Sequence, residues 1–264
     1  MYLGLGLRLG SSTVTGFDAD AAAYFERAGV TDATAKNQIN AFVKGTKDLN
    51  LYNNMVCWPL RSTQNASSGT TQYSLGGYGV YNGTLVGSPT RGASGINFDG
   101  SKLMTTSGLF HNPSTTNSSL LAVVSSSEVT NTVVIVEMNN GSSTGVRIRR
   151  DTPIKYGISV VNSVGIQEIT SVTNSATLNV FAFLAGSFST TQQFVVADGT
   201  QSSISTATLG NANTTSFQLG LAAANFTGTN AFASYFASTA LTLAQTESLR
   251  SLYKTTLGTG LSLP

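Results

Sequence analysis

Residues 95–106 read GINFDGSKLMTT. Ile96 and Phe98 alternate with smaller polar neighbours, the pattern of a short strand with one buried face. Asp99-Gly100 follows, a tight-turn dipeptide because glycine tolerates positive φ and Asp bonds its own backbone. Lys102, Leu103 and Met104 then open a second strand. The stretch predicts a hairpin between 96–98 and the strand beginning at 102. Its apolar side chains need a second sheet to cover them, so the remaining chain is expected to complete a sandwich.

Composition suits that expectation. At 264 residues the chain is long enough to bury a full core. Charged residues make up 10%, against roughly 25% in an ordinary soluble domain, and Ser, Thr, Asn and Gly take their place. A net charge of +2 supplies no electrostatic footprint for nucleic acid, which needs clustered Lys and Arg. Arg147, Arg149 and Arg150 are read as a solvated sheet face. Cys57 is the one cysteine and His111 the one histidine, so neither an internal disulfide nor a multi-cysteine zinc site can form. Apolar runs such as 133–136 fall well short of the ~18 residues of a membrane span. Met1-Tyr2-Leu3 lacks the charged start of a signal peptide, so a soluble, unprocessed chain is expected.

Taken in order, residues 2–10 read YLGLGLRLG. Leu3, Leu5, Leu7 and Leu9 fall on one side of an extended strand, either an edge strand of its own sandwich or an arm that pairs with another subunit. Two helices follow. Asp18 is the N-cap of the first, with Ala21, Tyr24, Phe25 and Ala28 on one face and Gly29 as the stop. Thr31 or Asp32 caps the second, whose apolar face is Ala35, Ile39, Phe42 and Val43. Neither is long enough to stand alone. The polar stretch 62–71 reads as a mobile loop. Strands are expected at 55–60, 84–86, 96–98, 120–124, 133–138, 145–149, 156–161, 167–172, 180–187, 192–197, 217–221 and 231–237. Asn139-Asn140-Gly141 and Asp198-Gly199 mark hairpin turns. A capping box at Thr242 and Gln245 opens a last helix with Leu249, Leu252, Tyr253 and Leu257 as its stripe and Gly258 as its end. The expected fold is all-β, a two-sheet antiparallel sandwich, divided into an extended arm (1–17), a helical header (18–54) and a sandwich domain with its C-terminal helix (55–264).

Two stretches carry a family resemblance. The Phe98-Asp99-Gly100 segment and residues 219–253, LGLAAANFTGTNAFASYFASTALTLAQTESLRSLY, resemble concanavalin A-like jelly rolls of the laminin-G type. Gly228, the strand at 232–236 and the helix-opening segment from Leu241 match that family's pattern. Residues 18–60 resemble the helical header that precedes such jelly rolls in bacteriophage structural proteins. The resemblance implies a jelly roll located in a virion, in the capsid surface, tail or an appendage. Its partners would be other virion proteins and further copies of itself, with Leu3, Leu5, Leu7 and Leu9 at the assembly contact. Laminin-G and lectin relatives often bind calcium through Asp side chains, which makes the loop residues Asp99, Asp151 and Asp198 candidate ligands. No other cofactor is implied.

Catalytic patterns are thin. Glycoside hydrolysis with retention needs two carboxyl groups ~5 Å apart, yet Glu128, Glu137, Glu168 and Glu247 stand singly and no strand carries two acids at i and i+2. A serine triad would need His111. That residue is expected in a turn, without a Gly-x-Ser-x-Gly elbow. The leading expectation is therefore a non-enzymatic virion structural protein. The alternative is a carbohydrate- or receptor-binding protein facing a host-surface glycan, with Tyr73, Tyr78 and Tyr81 in a glycine-rich stretch as stacking platforms.

Overall fold

A computed structural model describes residues 16–98, 101–111, 117–126, 133–139, 145–152, 155–162, 165–173, 181–206, 214–220 and 229–263. The leucines at 3, 5, 7 and 9, Asp99, and the Asn140-Gly141 turn lie outside them. The described chain opens with α1 (Ala19–Ala28) and α2 (Ala33–Asp48). Then come β1 (Met55–Pro59), β2 (Thr71–Gln72), β3 (Gly83–Val86), β4 (Thr90–Gly92) and β5 (Gly95–Phe98). Next are β6 (Leu103–His111), β7 (Ser118–Ser126), β8 (Val133–Asn139), β9 (Gly145–Thr152), β10 (Lys155–Asn162) and β11 (Gly165–Thr173). The chain continues through β12 (Phe181–Phe188), β13 (Gln193–Ala197), β14 (Thr200–Gln201), β15 (Thr214–Leu219) and β16 (Thr229–Ala237), and ends in α3 (Leu243–Thr255).

The strands form two antiparallel sheets. The first runs β14-β13-β12-β7-β16-β5-β4, with β1 also paired to β16; the second runs β11-β10-β9-β8-β15-β6-β3-β2. Between them lies one core, into which Val56, Trp58, Leu120, Ala122 and Leu184 of the first sheet and Met104, Val136, Met138, Ile148 and Phe217 of the second project. The Trp58 ring stacks on Phe217 with centroids 4.6 Å apart, and its Nε1 donates to the Tyr81 carbonyl at 2.7 Å.

The first sheet is apolar on both faces. Met55, Cys57, Leu121, Val123, Phe183 and Tyr235 point away from the second sheet into a separate cluster with Tyr24, Phe25, Ile39, Phe42, Val43, Leu249 and Tyr253 from the helices. This explains the unbroken LLAVV run of β7: with a layer on each side, no polar alternation is needed. The order of layers is helices, first sheet, second sheet.

Local signals set the helix ends as expected. Asp18 and Asp32 accept from Asp20 N–H at 3.0 Å and Ala35 N–H at 2.7 Å. Gly29 closes α1 in the left-handed conformation, φ 64°. The Thr242–Gln245 capping box is formed; α3 ends at Thr255, ahead of Gly258, whose N–H bonds the Tyr253 carbonyl. Lys47 at the end of α2 bridges Asp18 and Asp20 at 2.7 and 2.6 Å. Burial raises the Asp18 carboxyl, but the bond from Lys47 and the Asp20 and Ala21 N–H groups outweigh it and hold it below the ordinary carboxylate range. A folded-state pKa below the unfolded one stabilises the fold at neutral pH, and the gain is lost as pH falls through the carboxylate range. The melting temperature is thus expected to drop between pH 7 and about pH 3, with a smaller drop in Lys47→Met.

Three expectations are corrected. Residues 96–98 and 103–111 are not a hairpin. β5 pairs with β16 and β4 in the first sheet, and β6 with β15 and β3 in the second. Both segments send their apolar residues into the same core from opposite sides, since alternation specifies a face and not a neighbour. The arginine cluster is not a uniformly solvated face: Arg150 is buried with its guanidinium 5.6 Å from the Tyr156 ring centre, while Arg147 lies on the opposite face. His111 is the last residue of β6, opposite Thr214, rather than a turn residue.

Candidate functional site

The polar stretch 62–71, expected to be mobile, is tied down on every side. Gln64 is fully buried; its Nε2 donates to Gln38 Oε1 of α2 and to the Leu257 carbonyl, both at 2.9 Å, and its own carbonyl accepts from the Tyr24 hydroxyl at 2.8 Å. Arg91 donates to the carbonyls of Ala66, Gly69 and Thr71. Asn65, 3% exposed, uses all of its amide. Its Nδ2 donates to the carbonyls of Pro59 at 2.7 Å and Tyr73 at 2.9 Å, and its Oδ1 accepts from the N–H groups of Ala66 at 2.8 Å and Tyr73 at 3.0 Å. The amide therefore pairs with the Tyr73 backbone as an adjacent strand would, which sets where that ring leaves the chain.

Tyr73 forms one wall of a cleft of about 330 Å³ between the end of α1 and this loop. Glu26 and Arg27 come from the last turn of α1, and Ser67 and Ser68 from the loop. One Arg27 nitrogen, Nη2, is anchored to the Ser74 carbonyl at 3.2 Å. A fixed aromatic surface beside a cation, an anion and two hydroxyls is the makeup of a small polar-ligand site: a few placed polar groups give orientation and an apolar wall gives contact area.

The other tyrosines do not join it. Tyr78 stacks on Tyr81, centroids 6.0 Å apart, and leans on Phe236 at 5.6 Å. Tyr81 packs against the inter-sheet core and holds Trp58 through its carbonyl. Tyr78 is 37% exposed, and burial together with Tyr81 raises its hydroxyl pKa. This pair reads as turn packing with one accessible ring.

Of the aspartates named as calcium ligands, Asp198 is explained by its turn. Asp198 and Gly199 have φ of 48° and 87°, as a tight hairpin between β13 and β14 requires, and the carboxylate accepts from the Phe183 N–H at 2.8 Å. Asp151 belongs to β9 rather than to a loop. Among the described residues, no group of three or more His, Cys, Asp or Glu side chains is placed to hold a metal ion.

One charged pair escaped the sequence reading. Glu137 of β8 is opposite Arg147 of β9 on the outer face of the second sheet, with Nε–Oε2 at 2.8 Å and Nη2–Oε1 at 3.1 Å. Glu137 is 1% exposed, so its carboxylate is committed to the guanidinium and is a structural group. A single Glu inside VVIVEMN, followed by RIRR, was the available signal.

No protein-family model matches the chain, and no curated protein matches it. Solved structures do. A mutant of Trypanosoma rangeli sialidase displaying trans-sialidase activity superposes with TM-score 0.59 at 12% identity, over 84% of this chain and 39% of that one. The binding domain of botulinum neurotoxin serotype D gives 0.60 at 9% identity, over 78% and 53%. The binding domain of botulinum neurotoxin DC, in complex with SialylT, gives 0.56 at 10%, over 76% and 51%. The chain is a jelly-roll sandwich. It corresponds to about half or less of each of those chains, and at such identities the likeness concerns the fold alone. Among the described residues, no helix is long and apolar enough to cross a membrane.

Proposed function

We propose that this jelly roll is a non-catalytic carbohydrate-binding module that takes a sugar in the cleft between α1 and loop 62–71. The observation that carries the reading is Tyr73, an aromatic wall held in place by the fully bonded Asn65 amide and flanked by Glu26, Arg27, Ser67 and Ser68. A sugar ring offers an apolar face for stacking and hydroxyls for those groups. Two proteins that contain a similar fold are described in complex with such ligands, the T. rangeli sialidase with sialic acid and the neurotoxin DC binding domain with SialylT. The resemblance of residues 18–60 to bacteriophage helical headers is the support for reading the module as a virion component, with a host-surface glycan as its target. The leucine-alternating arm at 1–17 joins it to further copies or to other virion proteins.

Glycan-array binding tests the reading. Tyr73→Ala is expected to weaken binding at least tenfold, about 1.4 kcal/mol, while Tyr73→Phe keeps the ring and the affinity. Equal binding by both variants with unchanged folding would sink the cleft as the site, and hydrolysis of any bound glycan would sink the non-catalytic reading. For the arm, residues 18–264 are expected to melt like the full chain but to lose incorporation into particles that lack the protein. A much lower melt would assign the arm to its own sandwich.

A further inference from the structure

We propose that the ligand is an oligosaccharide of at least two units, lying across the ridge of Ser67 and Ser68 with one unit in each of two adjoining clefts. This rests on the carbohydrate reading and goes beyond it in fixing ligand length and direction. The Tyr73 cleft does not end at the loop. On the far side of the same two serines is a second cleft of about 320 Å³, walled by Gly69, Thr70, Leu85, Ser88 and Pro89. Each volume is near the lower limit of small-molecule sites, ~300–1,000 Å³, enough for one sugar ring and short of a chain. Ser67 and Ser68 line both, so the two clefts adjoin, and together they make the trough proposed for the ligand.

The ridge between them is built to hold its shape. Arg91, which lines the second cleft, spends its guanidinium on three loop carbonyls, and Asn65 holds the loop from the first side. A chain laid across it meets exposed serines flanked by the held carbonyls of Ala66 and Gly69, so little loop ordering is lost on binding. The two ends differ in chemistry. The Tyr73 side offers a ring and the charged Glu26 and Arg27; the far side offers hydroxyls of Thr70 and Ser88 over the aliphatic Leu85 and Pro89. That asymmetry gives the ligand a direction, with the unit bearing a charged or strongly polar substituent on the Tyr73 side.

Calorimetric titration with neutral and sialylated oligosaccharides of one to four units tests this. Affinity is expected to rise at least tenfold from one unit to two. Thr70→Trp, a change at an exposed position of the second cleft, is expected to return the two-unit affinity to the one-unit value and leave one-unit binding unchanged. Equal affinity for one and two units in the unmodified protein overturns the two-cleft trough, whatever the variant does. Unaltered two-unit binding in a folded Thr70→Trp also overturns it, as does equal weakening of one-unit and two-unit binding. Absence of binding at every length instead overturns the carbohydrate reading itself, and this inference with it.

Discussion

Residues 55–264, expressed without the two N-terminal helices, are expected to yield no cooperatively folded protein. In the helical header, α1 and α2 cover the outer face of the first sheet. Phe42 packs 6.0 Å from the Tyr235 ring, and Tyr24, Phe25, Ile39 and Val43 share one buried cluster with Cys57, Leu121, Val123, Phe183 and Phe232. Uncovering a buried Leu, Val, Phe or Met side chain costs about 1.5–3 kcal/mol. Four or five such residues would cost about 6–15 kcal/mol, as much as the roughly 5–15 kcal/mol by which a domain is stable. The remaining helix, α3, covers only part of that face. Thermal melting, size-exclusion chromatography and near-ultraviolet circular dichroism check the outcome. A shortened chain that melts cooperatively near the full-length temperature would show that the helices brace nothing and are free to serve as an attachment.

Arg147→Met is expected to cost about 3–5 kcal/mol, the usual penalty for leaving a buried carboxylate without its partner. Glu137 has almost no contact with water and takes two guanidinium contacts from Arg147. Removing the arginine strands the charge on the sheet. Removing both, as Arg147→Met with Glu137→Leu, is expected to restore much of the loss, because a buried ion pair and a well-packed apolar pair differ far less than a pair and an orphan. Urea melts of the two single variants and the double close the cycle. With about 2–4 °C per kcal/mol for a domain of this size, the single variant should melt roughly 10 °C lower. A loss under about 1 kcal/mol in Arg147→Met would mean that water reaches Glu137 and the pair is a surface one.

Much of the candidate site was hidden from the sequence. Tyr73 was legible as an aromatic in a glycine-rich stretch, but so were Tyr78 and Tyr81, and nothing local separates the three. What separates them is distant. Asn65 reaches the Tyr73 backbone eight residues on, Arg27 reaches Ser74 across 47 residues, and Gln64 reaches Leu257 across 193. Side chains that bond across such spans leave no periodic trace, so the loop they immobilise read as free.

By itself the sequence determined what is settled within a few residues. Asp18, Asp32 and Thr242 cap their helices because each side chain reaches an N–H two or three positions on. Asp198-Gly199 turns because both residues take positive φ, and alternation marks one face of each strand for burial. Which sheet a strand joins was decided only in three dimensions. Ile96 and Met104 line one core from opposite sheets, although they are eight positions apart and carry the same pattern. Burial rewards a covered face equally whether the cover is the next strand or the facing sheet. The choice falls to the packing of β16 beside β5 and β15 beside β6, contacts that no local stretch of the chain contains.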